Sequence, residues 1–480
     1  MNINDVLVAI DDFLWGTPFV ALLIICGVVL VVRSGFFSFT HFGHTMKMTF
    51  GSLTDKRERS TGSGQISPFE AVCVAMGGCI GMGNMAGVAA AVSTGGPGAV
   101  FWMWFWALIG MTIKSAEVTL GCYYRSKDSE GQYYGGPTYY MEKGIVQEGG
   151  HGWGKILIVG FAIGMVLQFL GGSQAYNIGE SLYETFGMDQ MVFVLLYSAF
   201  LLYIIWKGVP RIAKFASTLV PFMCVLYLIG GIAMIIMNAS VVPGVFASIF
   251  KNAFTSSAAV GGTAGYAVKT AISTGIARSM NSNEAGQGTS PMIHAKANTV
   301  HPIRQGLWGQ FEVFMDTIVV CSITAISILV SGALETGKTS MGLTIAAFEM
   351  SFGRPGEIFI AFLCVLFGIT TTAGWFMFYT TILHHVLKNN VQLANKIEKV
   401  LKICYPIPNI VIVAMIVMTG SGPDMFWTIV DISLVVPVFF NVIALLALSG
   451  KYKALLKDYR ARYLNEGEVD PDFKVFYDAP

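Results

Sequence analysis

The chain has 480 residues, of which 54% are hydrophobic and 12% are charged, and its net charge is +1. A soluble globular protein carries about 25% charged residues because water must wet its surface. The composition therefore excludes a soluble multidomain enzyme, a disordered chain and a coiled coil, and the near-zero charge gives no reason to expect nucleic acid as a partner. We infer a multi-pass membrane protein that is surrounded by the lipid bilayer.

Apolar runs long enough to cross a bilayer recur along the chain. A spanning helix needs about 20 mostly apolar residues, and such runs predict about 11 transmembrane helices. After the first of them, the segment 35–50 mixes phenylalanines with histidines and a lysine, which predicts an amphipathic helix on the membrane surface. The predicted spans are 17–33, 67–94, 97–122, 153–184, 190–206, 211–238, 244–281, 306–333, 356–384, 405–420 and 425–449.

Lysines and arginines are distributed unevenly between the two sides of these spans. They concentrate in every second connecting segment and after residue 450, whereas the other connections hold little more than Lys338 and Arg354. Basic residues are enriched on the cytoplasmic side of a membrane. The distribution therefore predicts an N-terminus outside the cell and a C-terminus in the cytoplasm.

Two of the predicted spans contain a glycine cluster. The first cluster lies in 75–84, with glycines at 77, 78, 81 and 83, and the second lies in 261–265. Each glycine costs a helix interior about 1 kcal/mol relative to alanine, so both clusters predict helix breaks. Broken helix is tolerated at membrane depth where it is buried or lines a cavity. The alternative is that the glycines are close-packing contacts between intact helices.

The two predicted breaks are five spans apart, so their helices cross the membrane in opposite directions. This arrangement is typical of a five-plus-five inverted repeat whose binding site lies at the breaks. We therefore predict an all-α protein in four parts. The first part, 1–50, contains an extracytoplasmic N-terminus, one extra transmembrane helix and the cytoplasmic interfacial helix. The two inverted repeats follow at 66–238 and 241–449, and the last part is a cytoplasmic tail at 450–480.

Motifs of common enzymes and ATP-driven pumps are missing from the sequence. It contains no H-E-x-x-H, no G-x-S-x-G and no Walker loop, and its eight cysteines form no C-x-x-C pair. We therefore expect no enzyme, no disulfide framework and no cofactor. The energy for transport would come from an ion gradient.

Oxygen ligands in the predicted spans indicate which ion supplies the gradient that drives transport. The break at 77–83 offers free backbone carbonyls, and Thr370, Thr371 and Thr372 place three hydroxyls in an otherwise apolar span. Carbonyls and hydroxyls without a carboxylate suit Na⁺, whereas a proton-coupled carrier would more naturally show a titratable group there. The alternative is that the threonines only donate hydrogen bonds to carbonyls four residues earlier.

Charged residues within the predicted spans are candidates for function or for buried pairs. Lys114 and Glu117 are three residues apart on one helix face, which favours a structural ion pair between them. Asp316 and Asp431 are further candidates for burial in a pair. The partners considered for these aspartates are Arg278 and Lys214.

Two uncharged polar residues, Gln174 and Asn177, fall on one face of the span 153–184. Such side chains suit the ammonium or the carboxylate of a small zwitterion. They equally well join helices through hydrogen bonds, so the pattern leaves both interpretations open.

Several motifs are typical of one transporter family. They are G-G-P-G-A-V-F-W-M-W at 95–104, continuing to Gly110; G-M-T at 110–112 with Lys114 and Glu117; G-G-P-T-Y-Y at 135–140; and S-N-E-A-G at 282–286 after Arg278. Such matches run in order along most of the chain. By these motifs the chain resembles the alanine or glycine:cation symporters (sodium:alanine symporters) of bacteria and archaea, in the amino acid-polyamine-organocation superfamily.

The resemblance implies a leucine-transporter-like fold and sodium-coupled import of a small neutral amino acid, alanine or glycine. We expect a monomer that works by alternating access in the bacterial or archaeal plasma membrane (the inner membrane), with Na⁺ as the coupling ion. The alternatives are a symporter of the same kind for glutamine, serine or another small amino acid, and an ion channel. A channel is less favoured because channels usually repeat their filter through symmetric subunits.

Residue by residue, the resemblance implies a substrate site at the first break. The family's G-x-G-N corresponds to residues 81–84, whose backbone amides would bind the substrate carboxylate, as helix N-termini bind anions. Gln174 falls where related symporters have a substrate-contacting glutamine, and Trp375 would close the pocket and limit side-chain size. The expected substrate-binding residues are Gly81, Met82, Gly83, Asn84, Gln174, Gly262, Thr370 and Trp375.

The resemblance also implies where Na⁺ binds. Thr370 and Thr371 fall at the sodium site of this fold, with the carbonyls of Gly77 and Ile80 as partners. The sequence departs from its relatives at Met82, where a small hydroxyl residue is usual, and this bulk bears on the choice of substrate. Carbonyl ligands do not depend on the side chain, so the departure bears less on ion coupling.

Overall fold

The computed structural model describes residues 3–52, 65–171, 174–255, 264–420 and 422–478, most of which are helical. In the first half of the chain the helices are α1 (Ile3–Leu14), α2 (Thr17–Arg33), α3 (Phe37–Thr40), α4 (Phe42–Ser52), α5 (Pro68–Cys79), α6 (Val88–Gly95), α7 (Gly98–Tyr123), α8 (Pro137–Tyr140), α9 (Gly154–Gly171), α10 (Ala175–Phe186), α11 (Gln190–Ile205), α12 (Val209–Met237) and α13 (Val242–Phe254).

The second half continues with α14 (Ala264–Asn283), α15 (Ser290–His294), α16 (Pro302–Val313), α17 (Ser322–Ser331), α18 (Ser340–Phe352), α19 (Arg354–Val386), α20 (Val391–Cys404), α21 (Ile407–Thr419) and α22 (Gly422–Leu464). π-Helical segments at Gly83–Gly87, Met141–Glu148 and Phe314–Cys321 and a 3₁₀ turn at Ala333–Thr336 adjoin these helices. A short antiparallel hairpin, β1 (Ser126–Lys127) with β2 (Tyr133–Tyr134), follows α7.

The helix lengths agree with a chain that crosses a membrane many times. Among the described residues, seven helices are long and apolar enough to span a bilayer, and the bent pair Pro68–Cys79 with Gly83–Gly95 would make an eighth span. Two shorter apolar helices lie at Gly154–Phe169 and Gln190–Ile205. The count of about 11 spans stays a prediction that rests on segment length.

Apolar side chains cover the outer surfaces of α9, α11 and α12. Ile156, Leu196 and Ile229 are each more than 60% exposed. In water, such surface would be unfavourable by about 25 cal/mol per Å² relative to its burial. Helices that are hydrophobic on all sides are stable where lipid contacts their outer face, which explains why these three carry so few charges.

The first helix break lies where the glycine cluster predicts it. A capping box starts α5, since the Ser67 hydroxyl accepts from the Glu70 N–H and the Glu70 carboxylate accepts from the Ser67 N–H. The helix ends at Cys79, and Ile80 has an extended backbone (ψ 92°). The segment Gly83–Gly95 then leaves at an angle of 49° to α5.

The predicted break at 261–265 stays a prediction, because residues 256–263, including Gly262, lie outside the described residues. The helix α13 ends at Phe254 and α14 begins at Ala264, on either side of that gap. A different interruption, at 284–289 between α14 and α15, meets the first break and is called the second break from here on. A Cβ added to Gly83 would lie 3.1 Å from the Ser282 Cα at the end of α14, so the two breaks are in contact.

The glycine clusters do not predict this second break, and there is a physical reason. Glu284, Gly286 and Gly288 have φ angles of 55°, 97° and 80°, so the chain there is left-handed rather than helical. Two of these positions are glycines, which adopt such angles without steric cost, but they are separated and follow a glutamate. The break is therefore built from only two glycines and a strained non-glycine residue.

Three further boundaries differ from the predicted spans. The predicted span 153–184 consists of two helices, α9 and α10, and α22 continues to Leu464 through part of the predicted tail. The helix α18 was not predicted because its 13 residues are too short for a span. It is buried, and its Thr344 hydroxyl donates to the Met85 carbonyl at 3.1 Å, so it packs on the π-helical segment after the first break.

Candidate functional site

A small pocket lies where the two breaks meet. Gly262 cannot be placed, because it lies outside the described residues. Gly77, Ile80, Asn84 and Thr370 are buried but are not part of the pocket wall. The predicted site residues that line the pocket are Gly81, Met82, Gly83, Gln174, Thr371 and Trp375.

The backbone amides of the first break are bound by two neutral side chains. The Gly81 N–H donates to the Asn84 Oδ1 at 2.8 Å, and the Met82 N–H donates to the Gln174 Oε1 at 3.2 Å. These are two of the amides that were expected to bind a substrate carboxylate. In this conformation, an incoming anion would have to displace the Gln174 amide before it could reach the Met82 N–H.

Asn84 stabilises the first break from behind the pocket. Its side chain is fully buried, and its Nδ2 donates to the Asp316 Oδ1 at 2.7 Å. Asp316 also accepts from the hydroxyls of Ser282 and Thr317, each at 2.8 Å. Asn84 therefore joins the first break to the end of α14 and to the π-helical segment Phe314–Cys321, rather than facing the cavity.

The predicted sodium residues bring α5 and α19 into contact. A Cβ added to Gly77 would lie 3.5 Å from the Thr370 Cβ, and one added to Gly81 would lie 2.3 Å from the Thr371 Oγ1. The hydroxyls of Thr370 and Thr371 donate to the Phe367 carbonyl at 2.8 and 3.0 Å. These are the back-bonds of the alternative interpretation, but a hydroxyl that donates its proton still has lone pairs with which to bind a cation.

Trp375 connects the two breaks. Its Nε1 donates to the Gly78 carbonyl in α5 and to the Glu284 Oε1 in the second break, both at 3.0 Å. On another side of the pocket lies Trp427, whose ring is 4.7 Å from the Arg278 guanidinium. Two indoles thus line the pocket, and the role of Trp375 in limiting the size of the cargo stays a prediction.

Buried charges hold the second break. The expected Lys114–Glu117 ion pair is wrong: the Lys114 Nζ donates to the Asn283 carbonyl at 2.8 Å and lies 3.5 Å from the Glu312 Oε1. Glu117 instead accepts from the Gly286 N–H at 3.2 Å and from Asn441. Lys114 and Glu117, three residues apart on one helix face, therefore bind the residue before the break and a residue within it.

One of the two candidate aspartate pairs is confirmed. Arg278 donates two hydrogen bonds to Asp431, at 2.8 and 2.6 Å, and both side chains are buried. Asp316 is held by hydrogen bonds from Asn84, Ser282 and Thr317, as described above. A bidentate arginine–carboxylate pair fixes two helices relative to each other, so it joins α14 to α22 beside Trp427.

Sequence reasoning missed Glu284 as a pocket residue. The S-N-E-A-G motif indicates only the family, and no periodicity distinguishes a glutamate that lines a pocket from one that packs elsewhere. The signal that could have found it is the sequence N-E-A-G-Q-G at 283–288, where two glycines spaced two apart follow a polar run. Such spacing permits repeated positive φ angles and therefore an unwound segment.

The fold defines the class: an all-α, multi-pass membrane protein with the leucine-transporter fold. The crystal structure of MhsT in complex with L-phenylalanine superimposes with a TM-score of 0.58 at 14% identity, over 84% of this chain and 97% of that one. The predicted fold class is therefore confirmed.

The chain belongs to the sodium:alanine symporter family, whose model matches residues 1–475. It is 34% identical to the sodium/alanine symporter AgcS of Methanococcus maripaludis, over 98% of this chain and 100% of that protein. It is also 34% identical to the probable sodium/glutamine symporter GlnT of Bacillus subtilis, over 97% and 92%. Membership of this family makes the chain a sodium-coupled amino acid symporter.

Proposed function

We propose that this protein imports a small neutral amino acid, alanine or glycine, together with Na⁺ by alternating access. The pocket between the breaks carries this proposal, because it is small and two indoles and the Met82 side chain restrict it. A cargo with a short side chain fits such a space. The 34% identity to AgcS, which is named for sodium and alanine, supports the same cargo.

In this proposal, Na⁺ is bound by the hydroxyls of Thr370 and Thr371 and by the carbonyls of Gly77 and Ile80. The contacts of Gly77 with Thr370 and of Gly81 with Thr371 support the pairing of α5 with α19 that such a site needs. The substrate would lie against Gly81, Met82 and Gly83. The protein would work as a monomer in the plasma membrane, with its N-terminus outside and its C-terminus in the cytoplasm.

A second candidate cargo is glutamine, which the similarity to GlnT favours. The two cargoes differ in length, so the pocket discriminates between them by the space beside Met82 and Trp375. Shortening Met82 to alanine would enlarge this space, since both residues line the pocket. A glutamine carrier would already accept glutamine without that change.

The test is uptake into proteoliposomes that contain the purified protein. Radiolabelled alanine and glycine would be supplied with an inward Na⁺ gradient, and an equal K⁺ gradient is the control. Accumulation that depends on Na⁺ supports the proposal. If neither amino acid accumulates, while glutamine or another amino acid does, the cargo assignment is wrong and the coupling stands.

The sodium site has its own test in Thr371→Ala. Removal of this hydroxyl should raise the Na⁺ concentration for half-maximal uptake at least tenfold, because one of few ligands is lost. Thr372→Ala is the matched control, since the Thr372 hydroxyl bonds to Gly368 and Tyr197 and does not face Gly81. Unchanged Na⁺ dependence in Thr371→Ala would show that the site lies elsewhere.

A further inference from the structure

A single charged side chain lines the pocket in the described part of the chain, and it is Glu284. It is 1% exposed, and no lysine, arginine or histidine among the described residues lies within ion-pair distance of it. The nearby Lys114 is engaged by Glu312 and by the Asn283 carbonyl. Among the described residues, this buried carboxylate therefore has no ion-pair partner, although the charge of Lys114 lies nearby.

The Glu284 carboxylate is held in one orientation. Its Oε1 accepts from the Trp375 Nε1 at 3.0 Å, and its Oε2 accepts from the Thr289 hydroxyl at 2.5 Å. Each oxygen has two lone pairs, so both keep the capacity to accept a further hydrogen bond. Two neutral donors position the group but do not neutralise it.

The backbone of Glu284 is strained. Its φ angle of 55° lies in the left-handed region, which costs a residue with a Cβ about 1 kcal/mol. Gly286 and Gly288 occupy the other left-handed positions of the same break, where they avoid this cost. A glycine at 284 would relieve the strain, so a side chain here needs a compensating role, and strained non-glycine residues concentrate at binding sites.

We propose that Glu284 binds the ammonium group of the transported amino acid. An ionised carboxylate that is buried away from bulk water is unfavourable by several kcal/mol unless a cation joins it. An ammonium group supplies that charge and three N–H donors for the free lone pairs. The inference rests on the proposed function and deepens it, because it names the side chain that recognises the ammonium group of the cargo.

The proposal also states which compounds the pocket rejects. Lactate has the shape of alanine with a hydroxyl in place of the ammonium, and N-acetylalanine has a neutral amide there. Neither brings a positive charge to Glu284, so both leave the carboxylate unpaired. A site built around such a group rejects ligands that lack the matching group far more strongly than ligands that lack one methylene.

The test compares Glu284→Gln with wild-type protein in proteoliposomes. The substitution keeps the size of the side chain and removes its charge. The alanine concentration for half-maximal uptake should rise at least tenfold, while the Na⁺ concentration for half-maximal uptake at saturating alanine should change less than twofold. Inhibition of alanine uptake by lactate should be weak in the wild type and not weaker in the variant.

Glu117→Gln is the matched control, because Glu117 is equally buried beside the same break but does not line the pocket. It should leave the ratio of alanine to lactate inhibition constants unchanged, even if it lowers the amount of folded protein. Glu284→Asp keeps the charge and should retain more alanine affinity than Glu284→Gln. If Glu284→Gln does not fold, Glu284→Asp remains as the test. Its shorter side chain holds the carboxylate further from the pocket, so it should lower the affinity for alanine while the Na⁺ concentration for half-maximal uptake stays unchanged.

Three results would overturn the inference. One is unchanged alanine half-saturation in Glu284→Gln. Another is a rise in Na⁺ half-saturation with unchanged alanine affinity, which would make Glu284 an ion ligand. The third is loss of a pH dependence of uptake with unchanged alanine affinity, which would make it a proton carrier. Failure of the proposed function is distinct, since wild-type protein would then accumulate no neutral amino acid with Na⁺.

Discussion

The two helix breaks at the pocket are built from different materials. The first has glycines at 77, 78, 81 and 83, and neutral amides from Asn84 and Gln174 satisfy its backbone. The second has two glycines, and charged side chains from neighbouring helices satisfy its backbone: Lys114 binds the Asn283 carbonyl, and Glu117 binds the Gly286 N–H.

This difference has an electrostatic reason. The end of α14 exposes carbonyls, which carry partial negative charge, and Lys114 lies there as a cation. The segment that follows exposes N–H groups, and Glu117 lies there as an anion. Charges hold the second break firmly, whereas the amides of the first can exchange Gln174 for a ligand. The backbone of the first break is therefore better suited to bind a cargo that arrives and leaves in each transport cycle.

Lys114→Met should have the largest effect on stability, because it removes one of the charges that hold the second break. It leaves the buried Glu312 carboxylate with Ser290 and His294 but without its lysine. Removal of one partner of a buried ion pair costs about 3–5 kcal/mol. We expect a clear fall in the melting temperature of the purified protein in detergent. Lys114→Met combined with Glu312→Gln removes both charges and should recover at least half of this loss. A double variant as unstable as the single one would contradict the pairing.

Asn84→Ala should have a smaller effect on stability, because it removes a neutral side chain that holds the first break. It leaves the buried Gly81 N–H without its acceptor and removes one of the three side-chain donors to Asp316, which costs about 1–3 kcal/mol. Uptake should show weaker binding of both Na⁺ and substrate, because the break contributes to both proposed sites. Asn84→Asp keeps the acceptor but brings a second carboxylate to Asp316, so it should be worse than alanine. The reverse order of the two variants would show that charge does not matter there.

Gln174→Ala should give the smallest effect. The side chain lines the pocket and accepts from the Met82 N–H, and water can take over that hydrogen bond. We expect the substrate concentration for half-maximal uptake to rise several-fold, because the displaced Gln174 amide would itself contact the bound substrate. The Na⁺ value at saturating substrate should be unchanged. Equal weakening of both would indicate damage to the fold rather than loss of a substrate contact.

Much of the fold was predictable because it depends on local properties. Apolar runs mark helices that face lipid, and the glycine cluster at 75–84 marks the first break, since glycine weakens a helix wherever it occurs. The break at 284–289 was not predictable in this way, because a strained glutamate and two separated glycines resemble an ordinary loop. The short helix α18 escaped prediction because it does not span the membrane.

The site was predictable in part. Gly81, Met82, Gly83, Gln174, Thr371 and Trp375 do line one pocket, as the family resemblance implies, although their roles as ligands stay predictions. Asn84 does not line it, and Gly262 lies outside the described residues. The position of Glu284 in the pocket could not be read from spacing, because it depends on a backbone turn that α14 makes only where it meets the first break.

The sequence by itself determined the membrane class, the first break and the family, since hydrophobicity, glycine content and motifs are properties of neighbouring residues. Only the tertiary structure decided the partner of Lys114, the place of the second break and the position of Glu284 in the pocket. Each of these depends on which helices cross at one point. A buried charge takes the partner that packing brings within reach, and for Lys114 that partner is Glu312 on α16 rather than Glu117 on its own helix.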